Sequence, residues 1–397
     1  MSLPSLLLEI TGLPTVAGRE HRLIACIEAW CGDRDDVKLS RDDAGNLTIS
    51  LVGDHEGPPI YTTAHLDHPA FIVHRVIGPG TLELAFRGGV MDDYFVDARV
   101  EVVTGNDRRL PGTLIERVEG ASSLGTDKHF LCELDDEDDS ITTDDMARWL
   151  LPEPEIVPAD GDSIMHTHAC DDLAAAACAL EAFDRIRAKR AAGETRVDAR
   201  ILFTRAEEIG FIGAIAATRL GTIPRDAKVI ALENSRAFPE APIGGGPIVR
   251  VGDRLTIFSP RLTDDIARIA EEIAGGPSAP TASQKDGDLP KWKWQRKLMA
   301  GGACEATVFC HAGLDATCVC LPLGNYHNMA DLAAVQAGTN TEPPTVGREH
   351  ISLADAQGMV DLLVACYERL GSPPKSKTAE RIDRLWDERR GILDAGA

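Results

Sequence analysis

Apolar residues recur along this chain with two different periods, and the places where the period changes divide it into segments. At the start the spacing is helical. Leu6, Leu7, Leu8 and Ile10 predict a short helix over 5–10, which Gly12 and Pro14 end. A second helix begins near Gly18-Arg19-Glu20, with Leu23, Ile24, Ile27 and Trp30 on one face. Asp43-Ala44-Gly45-Asn46 then predicts a hairpin turn into the strand 47–50. The run Ile60-Tyr61-Thr62-Thr63-Ala64 predicts a further strand ending at His65-Leu66-Asp67.

From Phe71 to Val157 the pattern becomes short β-like runs separated by Gly, Asn and Asp turns at roughly ten-residue intervals, as in a small barrel or sandwich. The acidic stretch 134–145 predicts an exposed loop or helix start, and Pro152, Pro154 and Pro158 mark a return to the first domain. The division is therefore residues 1–69 with 159–397 as one domain and an inserted all-β domain over 70–158.

Helical and strand patterns then alternate, the signature of an α/β class. Asp171 or Asp172 suits the N-cap of a helix whose stripe is Leu173, Ala176, Leu180 and Phe183. Ile201-Leu202-Phe203 predicts a strand running into Glu207-Glu208, whose adjacent side chains alternate in direction. The run 227–232 predicts a strand buried on both faces and ending at Glu233. Gly244-Gly245-Gly246-Pro247 is a tight loop with no phosphate-loop Lys-Ser/Thr after it. Helix over 262–274, loop over 275–290 and a buried strand over 316–321 follow, the strand leading into Asn325-Tyr326-His327-Asn328. Trp292 and Trp294 in Lys291-Trp292-Lys293-Trp294 read as partly buried anchors. Met359, Leu362, Leu363 and Cys366 mark a last long helix, and the charged tail from Pro373 a loosely docked one.

Composition narrows the function classes. The chain has 397 residues, 44% of them apolar and 26% charged, enough for a large core and two domains. No apolar run approaches the length of a membrane span, and the N-terminus lacks a basic leader. The ten cysteines form no CxxC pair, which predicts reduced thiols and a cytoplasmic protein. A net charge of −22 disfavours nucleic acid and anionic membranes as partners.

Four predicted strands end at a potential ligand: His65, Glu207-Glu208, Glu233 and His327; the Asp171-Asp172 pair opens a helix. In open α/β sheets, sites form outside the carboxyl ends of strands. Imidazole and carboxylate without thiolate suit two divalent ions, Zn²⁺ first and Co²⁺ or Mn²⁺ as alternatives. Two cations about 3.5–4 Å apart need a bridging carboxylate. Asp171 as bridge, His65 with Glu233 on one ion and Glu208 with His327 on the other, meets that need. Glu207 is left as general base, and Asp67 as the partner that orients His65.

The segments AHLD, ACDDLAAA, RAEEIGFIGA, ALENS and GNYHN resemble, in order, those of co-catalytic metallopeptidases, above all the M42 family of glutamyl and tetrahedral (TET) aminopeptidases, with the M28 and M20 peptidases more distant. The resemblance implies a zinc-peptidase-like catalytic domain, a mixed sheet flanked by helices, with a small β domain inserted after the HLD segment. It implies the same roles for His65, Asp171, Glu207, Glu208, Glu233 and His327, a short peptide or amino-acid amide as substrate, and a homo-oligomer. Glu233 stands where aminopeptidases of the group commonly carry Asp, so two further readings stay open. They are a di-metal amidohydrolase, deacylase or carboxypeptidase-like enzyme, and a non-catalytic family member.

Overall fold

Six short strands whose apolar residues alternate with mostly polar ones close on themselves here, because closure leaves no edge with unpaired backbone. A computed structural model describes residues 2–120, 127–159, 161–278 and 292–394. Strands β1 (Val37–Arg41), β2 (Leu47–Leu51) and β3 (Glu56–His65) precede the barrel. The barrel comprises β4 (Ala70–Gly78), β5 (Thr81–Arg87), β6 (Arg99–Val103), β7 (Arg109–Arg117), β8 (Lys128–Leu134) and β9 (Met146–Trp149), in the order β4-β5-β8-β7-β6-β9. Its interior is aromatic: Phe71, Phe86, Phe95, Phe130 and Trp149 meet mostly edge to face. The acidic stretch 134–145 leaves β8 and runs as turns to β9, with no helix.

Beyond the barrel come β10 (Glu155–Ala159), β11 (Asp162–Thr167), β12 (Val197–Thr204), β13 (Lys228–Arg236), β14 (Ile248–Asp253), β15 (Gln295–Met299), β16 (Asp315–Leu323) and β17 (Glu349–Ser352). The main sheet has eight strands in the order β1-β2-β12-β3-β13-β16-β14-β15, and β10-β11-β17 form a second, small sheet. Four adjacent central strands, β12, β3, β13 and β16, run parallel. The outer pairings β1–β2, β2–β12 and β14–β16 are antiparallel, so the sheet is mixed. Parallel neighbours present their carboxyl ends side by side, and that shared edge carries the site.

Helices cover both faces. The helix Leu173–Ala191 was expected to bury one stripe; instead it is buried on every side over its first two turns, from Leu173 to Leu180. It lies between the sheet and the helices Leu3–Gly12 and Leu353–Arg369, and its alanines let all three approach closely. The tail helix Lys377–Arg389 buries none of its residues. Trp294 is buried and Trp292 half-buried, while Lys291 and the part of the predicted loop at 279–290 lie outside the described residues. The Gly244–Gly246 loop is closed by the protein's own anion: Gly244 and Gly246 donate their N–H groups to the Asp355 carboxylate at 2.7 Å each. The ten cysteines are unpaired. Among the described residues, no helix is long and apolar enough to cross a membrane.

Candidate metal centre

The register of the central strands brings the predicted residues together. Thr204 on β12 pairs with His65 at the end of β3, and Ala231 on β13 pairs with Thr63. Two residues further along each strand, Glu233 comes level with His65. Glu233 therefore lies inside β13 and not at its end. The expectation for Glu207 and Glu208 also needs correction. Strand β12 stops at Thr204, and the two glutamates sit in the turn beyond it, so strand alternation does not aim them.

Buried carboxylates aim them instead. Asp67 accepts the N–H of Glu207 at 2.9 Å on one oxygen and that of Glu208 at 3.0 Å on the other. Glu20 accepts the N–H groups of Gly18 and Ala206 and binds the Arg205 guanidinium at 2.7 Å. These bonds hold Ala206 in the left-handed region (φ +53°), a conformation that a non-glycine residue adopts at a cost. Asp67 was expected to orient His65 with its carboxylate. Its carboxylate lies 3.6 Å and its backbone carbonyl 3.0 Å from His65 Nδ1, so both face the ring, and the carboxylate also grips the glutamate turn. An Asp67→Asn protein, left with one acceptor oxygen for two N–H groups, is expected to lose about 10–100-fold in metal affinity and kcat/KM. Chelator competition and steady-state rates check this, and unchanged values would release Asp67 from the role.

His327 is set by an equally unusual turn. Asn325, His327 and Asn328 all take positive φ after β16. Glu349, buried, accepts the His327 N–H at 2.7 Å on one oxygen and the Cys170 and Asp171 N–H groups on the other. His68 bridges the same two segments, with Nδ1 at 2.6 Å from the Asp171 carbonyl and Nε2 at 3.0 Å from Asn328 Oδ1. Asp172 occupies the helix N-cap position, yet its side chain accepts the His65 N–H at 3.3 Å and does no capping; the Asp171–Asp172 peptide is cis. Glu349 and His68 were missed by sequence reasoning. Each reads locally as an ordinary polar residue, and only the fold shows what it connects.

The two imidazoles are prepared alike. His327 Nδ1 lies 2.6 Å from the Gly89 carbonyl and His65 Nδ1 3.0 Å from that of Asp67. A carbonyl only accepts, so in the neutral ring each Nδ1 carries the proton and each Nε2 keeps its lone pair. Both Nε2 atoms face one carboxylate. His65 Nε2 is 3.3 Å from Asp171 Oδ1, and His327 Nε2 is 3.5 Å from Asp171 Oδ2 and 3.2 Å from Glu208 Oε1. Glu207 and Glu233 each come within 3.9 Å of His65 Nε2. Two donors on one tetrahedral ion, at bonds of about 2.0–2.2 Å, sit roughly 3.3–3.6 Å apart. The spacings of 3.2–3.5 Å fall close to those of donors sharing a cation. Asp171 Oδ1 and Glu208 Oε1 are buried with no hydrogen-bond partner among the described residues, as such atoms would be if a metal satisfied them.

The electrostatics agree. Burial, reinforced by the neighbouring carboxylates Glu208 and Asp67, pushes Glu207 well above the usual carboxylate range. Burial and Asp171 do the same to Glu233. Asp171 itself is driven down: burial opposes ionisation, and the His327 and His65 rings, which without an ion between them are held protonated by the surrounding carboxylates and donate to it, outweigh that burial. Burial also lifts Glu305, beneath the site, to about 7. So many buried carboxyls stay ionised together only with cations among them. The residue groups His65-Glu207-Glu233, His65-Asp171-Glu208 and Asp171-Asp172-Glu233 each place donor atoms close enough for one ion. The cleft over them holds about 340 Å³, with Phe238, Met299, Met329 and Leu332 on its apolar wall and Arg236 and Arg250 within it.

A mixed α/β sheet with imidazole and carboxylate donors gathered at the carboxyl ends of parallel strands is the architecture of a metallopeptidase catalytic domain. The family model for M42 glutamyl aminopeptidase matches residues 45–274, and the chain belongs to that family. It is thus a hydrolytic enzyme of the metallo-aminopeptidase class. A protein of Acetivibrio thermocellus provisionally named an aminopeptidase is 23% identical over 345 residues, 83% of this chain and 93% of that protein. Among solved structures, the Pyrococcus horikoshii TET1 peptidase, which assembles into a tetrahedron or a large octahedral shell, superposes with a TM-score of 0.68 at 20% identity, over 93% of this chain and 100% of that one. An aminopeptidase from Desulfurococcus kamchatkensis gives 0.69 at 18% identity, over 92% and 94%.

Proposed function

We propose that this chain removes N-terminal residues from short peptides, with two divalent ions, Zn²⁺ before Co²⁺ or Mn²⁺, held between His65, Asp171, Glu208, Glu233 and His327. The observation that carries the reading is the pair of imidazoles whose Nδ1 protons are committed to backbone carbonyls and whose Nε2 atoms converge on the two oxygens of Asp171. In this reading Asp171 would serve both ions, His65 and Glu233 would hold one, and Glu208 and His327 the other. When bound, the ions supply Lewis acidity to the scissile carbonyl and acidify a water.

Glu207 moves the proton. Its carboxylate takes one from the attacking water and delivers it to the departing amine, a role that suits a buried carboxyl whose surroundings ease its protonation. Asp67, Glu20 and Glu349 keep the donors in place so that the ions meet a preformed cage. The cleft is large enough for a dipeptide-sized ligand, and its apolar wall gives a side chain somewhere to go.

The unpaired thiols fit a cytoplasmic setting. The shell-forming TET1 neighbour suggests a homo-oligomer, and the barrel suggests a separate inserted domain over 70–158 beside 1–69 and 159–397. Alanyl- and leucyl-p-nitroanilide should be cleaved, while their N-acetylated forms and N-acyl amino acids should not. Preference for N-acyl amino acids would replace the aminopeptidase reading with a deacylase.

A further inference from the structure

The barrel carries a second convergence of metal-type donors that shares no residue with the site around Asp171. His74, Glu83 and His129 bring one donor atom each to within 4.8 Å of one another. They come from three adjacent strands, β4, β5 and β8, so the arrangement rests on rigid elements. Leu82, Leu84 and Phe86 of β5 fill the barrel interior, which leaves Glu83 on the opposite, outward face.

A β-bulge aims His74. The pairing of β4 with β5 slips between Val73, which opposes Leu84, and Arg75, which opposes Glu83, so His74 is the extra residue. Bulges of this kind redirect a side chain. His129 is buried and sits diagonally across from Glu83, since it pairs with Ala85 two residues on. The two imidazole rings meet edge to face with centroids 4.6 Å apart.

The ligand atoms are individually prepared. Arg75 holds one Glu83 oxygen at 2.6 Å, which leaves the other for the histidines. That oxygen is hydrogen-bonded to His129 Nδ1 at 2.8 Å, a bond that an ion would replace, and lies 4.0 Å from His74 Nε2. On the far side of its ring, His129 Nε2 is buried without a hydrogen bond and lies 3.5 Å from Asp127 Oδ2, the place an orienting carboxylate takes behind a ligating imidazole. His74 keeps 38% of its side chain exposed, which gives an ion an entry path and leaves room for a completing water.

We infer that His74, Glu83 and His129 form a separate transition-metal site on the barrel, of the two-histidine, one-carboxylate type that takes Zn²⁺ or a neighbouring first-row dication with water as the remaining ligand. Two imidazoles and a carboxylate suit such ions and not Mg²⁺ or Ca²⁺, which demand more oxygen.

The test is a count of bound metal. Wild type, His74→Ala and His129→Gln are loaded with Zn²⁺, freed of excess by a weak chelating resin, and measured for zinc per chain. Each variant is expected to bind one ion fewer than wild type while keeping its kcat/KM on a peptide substrate. Because the readout is a difference, it does not depend on how many ions the catalytic centre holds. His74→Ala changes an exposed side chain, so it reports even if the buried His129→Gln fails to fold. Equal zinc content in wild type and folded His74→Ala overturns the inference. So does a lost ion accompanied by lost activity, which would place the ion at the catalytic centre.

Discussion

Glu207→Gln is expected to leave the protein folded and metal-loaded while lowering kcat by about 10²–10⁴-fold, or roughly 3–5 kcal/mol of transition-state stabilisation. The amide keeps the shape of the carboxylate but cannot take a proton from water. The turn that carries it is fixed by backbone groups, Glu207 N–H to Asp67 and Ala206 N–H to Glu20, and these survive the substitution. KM should change little, because the loss falls on the chemical step. Stopped-assay rates with metal analysis on the same sample check the pair of outcomes. Full activity would move the proton-transfer role to another group; lost metal would make Glu207 a ligand, a possibility raised by its 3.9 Å approach to His65 Nε2.

Asp171→Asn should have a different signature. Asp171 has one oxygen toward His65 and the other toward His327, so it spans both halves of the site. An amide offers one oxygen and no net charge to two dications whose repulsion must be offset. Both ions are expected to bind far more weakly, and activity to fall by a thousandfold or more, about 4 kcal/mol. Excess metal should restore part of the rate here but none of it in Glu207→Gln. A fall in activity without a change in metal affinity would show that Asp171 does not bridge.

The candidate donors, which the fold brings together, were readable because each stands beside a recognisable apolar run. Ile60–Ala64 leads to His65, and 316–321 leads toward His327. The helix opened by Asp171-Asp172 was equally visible from its alanine-rich pattern. The means of holding them was not. Asp67 read as a partner for the histidine two residues away, and besides facing it clamps a turn 140 residues on. Glu349 links Cys170, Asp171 and His327 from a strand with no local sign of this. Such hydrogen bonds depend on which backbone N–H groups happen to be left over where segments meet, and periodicity carries no record of that.

Period and residue type thus determined, from the sequence alone, that the chain is α/β with an all-β insertion and which side chains have the chemistry of metal ligands. Strand order, register and the left-handed turns decided that four parallel strand ends lie side by side and that two Nε2 atoms share one carboxylate. The physical reason is range. Side-chain periodicity follows from local backbone geometry, whereas a spacing of 3.3 Å between His65 and Asp171 exists only after more than a hundred intervening residues have packed.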